Sequence, residues 1–171
     1  MKFFEIEQKY RISNPALFRR RLRVLKAHKI SGGHESNELF DIIKRLGIQG
    51  SVLRLRKNPD GRGLLTFKGP RIAGKYKKRI EIETCVEYEK ARHLLHALGF
   101  KVAASYSKKR EEFILSRCHV TLDYLKGAGW FAEIEGSEKK ITRIAAKLGF
   151  SDKDREERTY LEILGKSIKS V

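Results

Sequence analysis

The sequence predicts an α+β fold in which an antiparallel sheet rolls into a closed barrel with helices packed on its outside. Three observations carry that expectation. Glu-Ile-Glu occurs at Glu5-Ile6-Glu7, Glu81-Ile82-Glu83 and Glu133-Ile134-Glu135, and in a strand each copy sets two carboxylates on one face. Each copy is followed by a helical pattern, which makes an imperfect threefold repeat of strand then helix. Between the helices the apolar residues alternate with charged ones rather than with merely polar ones.

Taken in order, Glu5 to Lys9 is a strand whose charged face ends on a base. Asn14-Pro15 supplies an N-cap and a first-turn proline, and Phe18, Leu22 and Leu25 mark one face of a helix over 15–28. Leu53 and Leu55 then oppose Arg54 and Arg56, Leu65 and Phe67 oppose Thr66 and Lys68, and Ile80 and Ile82 oppose Arg79, Glu81 and Glu83. Ala91, Leu94, Leu95 and Leu98 have helical spacing and end at Gly99. From Lys108 to Leu115 the parity groups Lys108, Arg110 and Glu112. Val120 and Leu122 oppose Thr121 and Asp123, and Ala132 and Ile134 oppose Glu133 and Glu135. Ser137 can cap a helix carrying Ile141, Ile144, Ala145 and Leu148 and ending at Gly149; a last short helix covers 160–164. Asp60-Gly61 and Gly127 to Gly129 provide turns.

Composition sets the limits. With 171 residues and 40% hydrophobic content, one compact domain over 1–171 is expected. Two cysteines, Cys85 and Cys118, argue against a disulfide framework, Glu5 comes too early for a signal peptide, and no apolar run matches a membrane span. The expectation is a reduced, cytoplasmic protein with no membrane partner. A net charge of +17 implies an anionic partner. Arg19, Arg20, Arg21 and Arg23 crowd one segment, but no aromatic residues are interleaved to stack bases, which favours a solvated helix face over an RNA site.

Alternation alone is equally compatible with an open sheet whose charged face meets water. Against that stands the recurrence of Arg-x-Arg, Arg-x-Glu-x-Glu and Glu-x-Glu, where a solvated face usually mixes Thr, Ser, Gln and Lys. Two carboxylates about 4 Å apart at an effective dielectric of about 20 repel by roughly 4 kcal/mol, so several pairs in one cavity require cations to offset them. A barrel with these rows inside holds both signs. Carboxylates are hard ligands suited to Mg²⁺ or Mn²⁺, and Arg and Lys satisfy phosphate oxygens, so the interior suits a triphosphate with a divalent metal.

Glu5-Ile6-Glu7-Gln8-Lys9 resembles the Glu-x-Glu-x-Lys signature of the CYTH superfamily of triphosphate tunnel metalloenzymes, which includes class IV adenylyl cyclases and thiamine triphosphatases. Six blocks follow in that family's order: Leu53 to Arg56, Leu65 to Pro70, Arg79 to Glu83, Lys108 to Arg110, Leu122-Asp123 and Phe131 to Glu135. Thr159 to Leu164 resembles its ending. The resemblance implies an eight-stranded antiparallel tunnel, with Glu5, Glu7, Glu133 and Glu135 as metal ligands and Asp123 as helper. It implies that Lys9, Arg54, Arg56, Lys68, Arg79, Lys108 and Arg110 grip phosphates. Glu81 and Glu83, with Lys9 the candidate catalytic residues, have three readings: a second metal, a water-orienting role, or pairing with Arg79. The sequence departs from relatives at Ser36 to Asp41, where a Tyr-Asp-Thr or Gln-x-Asp-x-Tyr pattern is common and only Phe40-Asp41 survives.

Gly69 to Tyr76 has P-loop spacing, but Tyr76 replaces the metal-binding hydroxyl and a strand follows, so it reads as a basic hairpin over the tunnel mouth. His93 and His96 read as surface histidines, and His28, His34 and His119 as scattered. The activity implied is conversion of ATP to cyclic AMP and pyrophosphate. Hydrolysis of tripolyphosphate, thiamine triphosphate or a nucleoside triphosphate is the alternative, and a non-catalytic module binding polyphosphate or RNA 5′ ends is a third reading.

Overall fold

Asn14 accepts a hydrogen bond from the Leu17 N–H at 2.9 Å and Pro15 opens the first turn, so the first helix starts where its capping residues dictate. A computed structural model describes residues 4–166. Its strands are β1 (Phe4–Ile12), β2 (His28–Asp41), β3 (Val52–Lys57), β4 (Gly63–Lys68), β5 (Lys77–Val86), β6 (Lys101–Leu115), β7 (Cys118–Leu125) and β8 (Gly129–Glu135). Its helices are α1 (Pro15–Val24), α2 (Arg45–Ile48), α3 (Tyr88–Ala97), α4 (Glu138–Lys147) and α5 (Tyr160–Ile163). The strands close in the order β1-β5-β4-β3-β2-β6-β7-β8, and every neighbouring pair is antiparallel. The expected rolled sheet is therefore present, and eight strands make it.

Alternation decides which side chains face in. On β8, Ala132 and Ile134 are fully buried against the helices, while Glu133 and Glu135 point to the interior. The largest core lies outside the barrel, where Phe18 and Leu22 of α1 and Ile141, Ile144 and Leu148 of α4 meet Tyr10, Val120, Leu122 and Ile134. Burying each such aliphatic side chain contributes about 1.5–3 kcal/mol, so this layer holds the charged interior in register. A second cluster packs Tyr88, Ala91 and Leu95 of α3 on Phe40 and Leu55.

The two Leu-Gly-Phe sequences end α3 and α4 in the same way. Gly99 (φ +89°) and Gly149 (φ +78°) take the left-handed conformation, and Phe100 and Phe150 donate back to the Leu95 and Ala145 carbonyls at 3.0 and 2.9 Å. Ser137 sits at the N-cap of α4, but its side chain accepts no cap hydrogen bond. Helix α1 stops four residues before the predicted end. Lys26 adopts φ +58° and the Ala27 N–H closes on the Leu22 carbonyl, which frees His28 to begin β2. Strand β2 has no counterpart among the sequence-predicted strands, and β6 starts at Lys101 rather than Lys108.

The segment 155–164 covers one end of the barrel. The inward-facing residues there are Arg11, Tyr106, Leu125 and Phe131; Tyr160, Ile163 and Leu164 pack against the last three, and Arg11 pairs with Glu156 at 3.3 Å. Thr159 and Glu162 form a reciprocal capping box that starts α5 at this place. Residues 69–76 form the expected hairpin, with the Ile72 N–H donating to the Lys78 carbonyl at 2.8 Å.

Candidate active site

The inward row of each strand meets the others around a cavity of about 370 Å³, within the range of small-molecule sites. Every sequence-predicted site residue lines it except Asp123. Nine basic side chains face seven glutamates on that lining, so the interior keeps a positive excess while holding several carboxylates.

One group centres on β1 and β5. Lys68 Nζ donates to both oxygens of Glu5 at 2.9 and 2.8 Å and lies 2.7 Å from Glu81, while Arg79 reaches Glu5 at 3.4 Å and Glu7 at 3.9 Å. Burial works against the Glu5 carboxylate, but a hydrogen bond from Glu81 and the charges of Lys68 and Arg79 outweigh it and hold Glu5 at about 2. Burial, together with Glu5, pushes Glu81 up to about 9. The pair therefore shares one proton. Glu83 accepts from Thr66 at 2.7 Å and stands 3.5 Å from Arg54. The bases beside Glu81 and Glu83 are thus Lys68 and Arg54, whereas the expected partner Arg79 serves Glu5 and Glu7.

A second group lies on β6, β7 and β8. Arg110 donates to Asp123 at 2.7 and 2.6 Å and to Glu133 at 2.6 Å, and Lys108 donates to Asp123 at 3.0 Å. Asp123 is fully buried and also accepts the Tyr160 hydroxyl at 2.6 Å. Its oxygens are committed to three donor residues that themselves line the cavity, so geometry gives it the work of orienting Lys108 and Arg110. Lys9 stands 3.8 Å from Glu133 and 3.8 Å from the centroid of the Tyr160 ring.

Glu7 lies opposite Glu135 across the β1–β8 ladder. Burial first, and then the charges of Glu5 and Glu133, push its carboxyl above the usual range. Among the described residues no three acidic, His or Cys side chains are set to share one ion as they stand, because Glu5 and Glu133 hold lysine and arginine partners. The donor chemistry nonetheless fits a hard divalent cation. The donors are all carboxylate oxygens, and the repulsion that raises Glu7 is what a divalent ion offsets.

Further residues outside the candidate set also line the cavity. Lys77, opposite Glu7 on β5, is lowered to about 8 by burial and then by the charge of Lys9. His119 contacts Glu112 at 3.2 Å on the cavity wall, so it belongs with the site and is not a scattered histidine. Glu112 shares its row with Lys108 and Arg110, and the hydrogen bond with His119 holds it at about 2. Tyr106 and Tyr160 also line the cavity; Tyr106 continues the Lys108, Arg110 and Glu112 row of β6, so that row's parity extends to it, whereas Tyr160 arrives from α5. His93 is exposed, and His96 packs edge-on against Phe40 at 5.6 Å.

A family model described as the CYTH domain matches residues 4–160. The chain belongs to the CYTH domain family. It is 29% identical over 178 residues to adenylate cyclase CyaB of Aeromonas hydrophila, a match covering 96% of this chain and 91% of that protein. A solved structure from Vibrio parahaemolyticus, described as a candidate adenylate cyclase, superposes with a TM-score of 0.87 at 29% identity over 96% of this chain and 99% of that one. A Hippeastrum protein described as a candidate adenylyl cyclase with dominant triphosphatase activity shares the fold, with a TM-score of 0.71 at 15% identity over 95% and 97% of the two chains. Against this CYTH background the Glu-x-Glu-x-Lys run has a structural meaning: β1 presents Glu5, Glu7 and Lys9 in one inward row.

Proposed function

We propose that this CYTH protein is a divalent-metal-dependent enzyme that acts on the triphosphate of a nucleotide, converting ATP to cyclic AMP and pyrophosphate. The observation that carries this reading is the meeting of the Glu7–Glu135 pair with Lys9, Lys68, Arg54, Arg79 and Arg110 on the wall of one cavity. Glu5, Glu7, Glu133 and Glu135 would hold Mg²⁺ or Mn²⁺, which would supply positive charge to offset that of the phosphates.

The chain's own residues do the rest. Arg54, Arg56, Arg79 and Arg110 offer planar forks to non-bridging oxygens, and Lys9, Lys68 and Lys108 offer point charges. Asp123 fixes the forks of Arg110 and the ammonium of Lys108 before substrate arrives, which limits reorganisation during the reaction. Phosphate would compete with Glu5 and Glu81 for Lys68, and release of that ammonium would leave the Glu5 carboxylate open to a cation. Catalysis on this account is positioning and charge stabilisation, and Glu81 and Glu83 act through Lys68 and Arg54. A cytoplasmic setting accompanies this reading; no helix among the described residues is long and apolar enough to cross a membrane.

Hydrolysis of a triphosphate is the second reading, and the His119–Glu112 pair favours it, because an imidazole backed by a carboxylate is suited to take a proton from water. The test is incubation with ATP, tripolyphosphate and thiamine triphosphate, with Mg²⁺ or Mn²⁺, followed by separation of products. Cyclic AMP with pyrophosphate supports the first reading, and orthophosphate release supports the second. Absence of turnover of all three with either ion sinks both.

A further inference from the structure

Most of the positive charge of this chain lies outside the cavity. The net charge is +17, whereas the lining sets nine bases against seven glutamates. Part of the excess is gathered on one wall. Helices α1 and α4 pack side by side on the barrel: Phe18 and Leu22 share a core with Ile141, Ile144 and Leu148, and the Arg21 guanidinium donates to the Leu148 carbonyl at 2.6 Å. Their outer faces carry Arg20 and Arg23 on α1 and Lys139, Arg143 and Lys147 on α4, all exposed. Among the described residues none of these five side chains has a hydrogen bond or an ion pair. The α4 row has i, i+4, i+8 spacing, which sets its cations about 6 Å apart along one line. The only acid in either helix is Glu138, the first residue of α4.

The helices gain nothing from this arrangement. Like charges at i, i+4 destabilise a helix, and Lys139 stands in the first turn of α4, where the helix dipole disfavours a cation. Elsewhere the surface offsets its bases. On α3, Lys90 pairs with Glu87 at 2.8 Å and Arg92 with Glu38 at 3.0 Å. The run on α1 taken alone reads as a solvated face; the second row beside it is what the fold adds.

We infer that the α1–α4 face is a docking surface for the phosphate backbone of a double-stranded nucleic acid, bound without regard to sequence. Charge complementarity sets the class of partner, because unpaired cations in fixed rows neutralise a line of phosphates and release the counterions condensed on it. Two other polyanions fit less well. A single strand is held by stacking on aromatic rings; neither outer face offers one, and the Trp130 ring beside α1 is covered by the Arg19 guanidinium, 5.0 Å from its centroid. A membrane surface takes up apolar side chains, but both helices commit their apolar stripes to the core and leave only Leu17 and Val24 as large apolar residues exposed on them.

The experiment follows binding of a mixed-sequence DNA duplex of about 20 base pairs by fluorescence anisotropy as salt rises from about 50 to 200 mM. Two triple variants carry the same net charge. One has Arg20→Glu, Arg23→Glu and Arg143→Glu on the face; the other has Lys44→Glu, Arg45→Glu and Lys101→Glu at exposed positions around α2 and the start of β6. The face variant is expected to bind about tenfold or more weakly at about 0.1 M salt and to lower the slope of log affinity against log salt by about 3. The control variant is expected to lose less than about threefold and to keep its slope, since charges beyond about 10 Å are screened. Equal losses in the two variants overturn the docking surface and leave net charge as the cause. Tighter binding of a single strand of the same length, or of phosphatidylserine vesicles, than of the duplex overturns it as well. Should the face variant fail to fold, the native protein still decides: a salt slope of about 3 or more in magnitude supports the surface, and a smaller slope or no duplex binding at about 50 mM salt overturns it.

Discussion

Strands β1 and β5 carry the same tripeptide, lie side by side in the barrel, and use it differently. In β1, Glu5 is held low by Lys68, Arg79 and Glu81, while Glu7 faces Glu135 and is pushed up. In β5, Glu81 is pushed up to about 9 and Glu83 is lowered, with Thr66 and Arg54 supporting its charge. The difference arises from cross-strand neighbours: β1 borders β8 and its acids, whereas β5 borders β4 with Lys68 and Thr66. A Glu-x-Glu motif states that two carboxylates share a face. What they do is decided by the strand beside them.

The strongest break in this comparison is expected from Glu7→Gln set against Glu83→Gln. The first removes a carboxylate from the Glu7–Glu135 pair proposed to hold the ion and is expected to lower metal-dependent turnover by about a thousandfold, on the scale of losing a preorganised electrostatic contact. The second leaves that pair intact and loosens Arg54, with a loss of about tenfold or less. Product assays at saturating Mg²⁺ measure both, and equal losses would erase the distinction between the strands. Asp123→Ala comes next. It strips the partner from a buried Arg110 and Lys108, and urea unfolding is expected to register a loss of about 3 kcal/mol or more.

A pH profile sharpens the comparison further. The folded state keeps a proton on Glu81 that an exposed glutamate of ordinary value 4.5 releases, so its contribution is full below that value and is lost as pH rises toward about 9. Glu5 behaves oppositely, and its contribution is lost as pH falls from 4.5 toward about 2. Thermal midpoints of Glu81→Gln, measured from pH 5 to 9, are expected to be flatter than those of the native protein over this window. The smallest effect belongs to α1. Arg19→Glu with Arg20→Glu is expected to leave turnover of small triphosphates unchanged, since Arg19 pairs outside the barrel with Glu111 at 2.5 Å; a clear fall would tie α1 to the cavity.

How much of this was legible follows from the same physics. Where a strand alternates charged and apolar residues, as Leu53 to Arg56 and Arg79 to Glu83 do, the face and its contents could be read directly. The helix ends at Gly99 and Gly149 were equally plain. Strand β2 was not, because Gly32 and Gly33 dilute its pattern and register shifts at 29–31 and 39–40 break its period, which hides Glu35 and Asn37 on the inner face. Asp123 was legible as an inward carboxylate but not as a saturated one, since Tyr160 arrives from a helix 37 residues away in sequence. Local pattern reports direction, and long-range partners settle occupancy.

The packing of α5 against Tyr106, Leu125 and Phe131 bears on how the molecule would cycle. A stoppered channel is a cul-de-sac: whatever enters must back out by the way it came. If the cavity splits a triphosphate as proposed, both products would leave by one doorway, and the fragment nearer α5 would leave last.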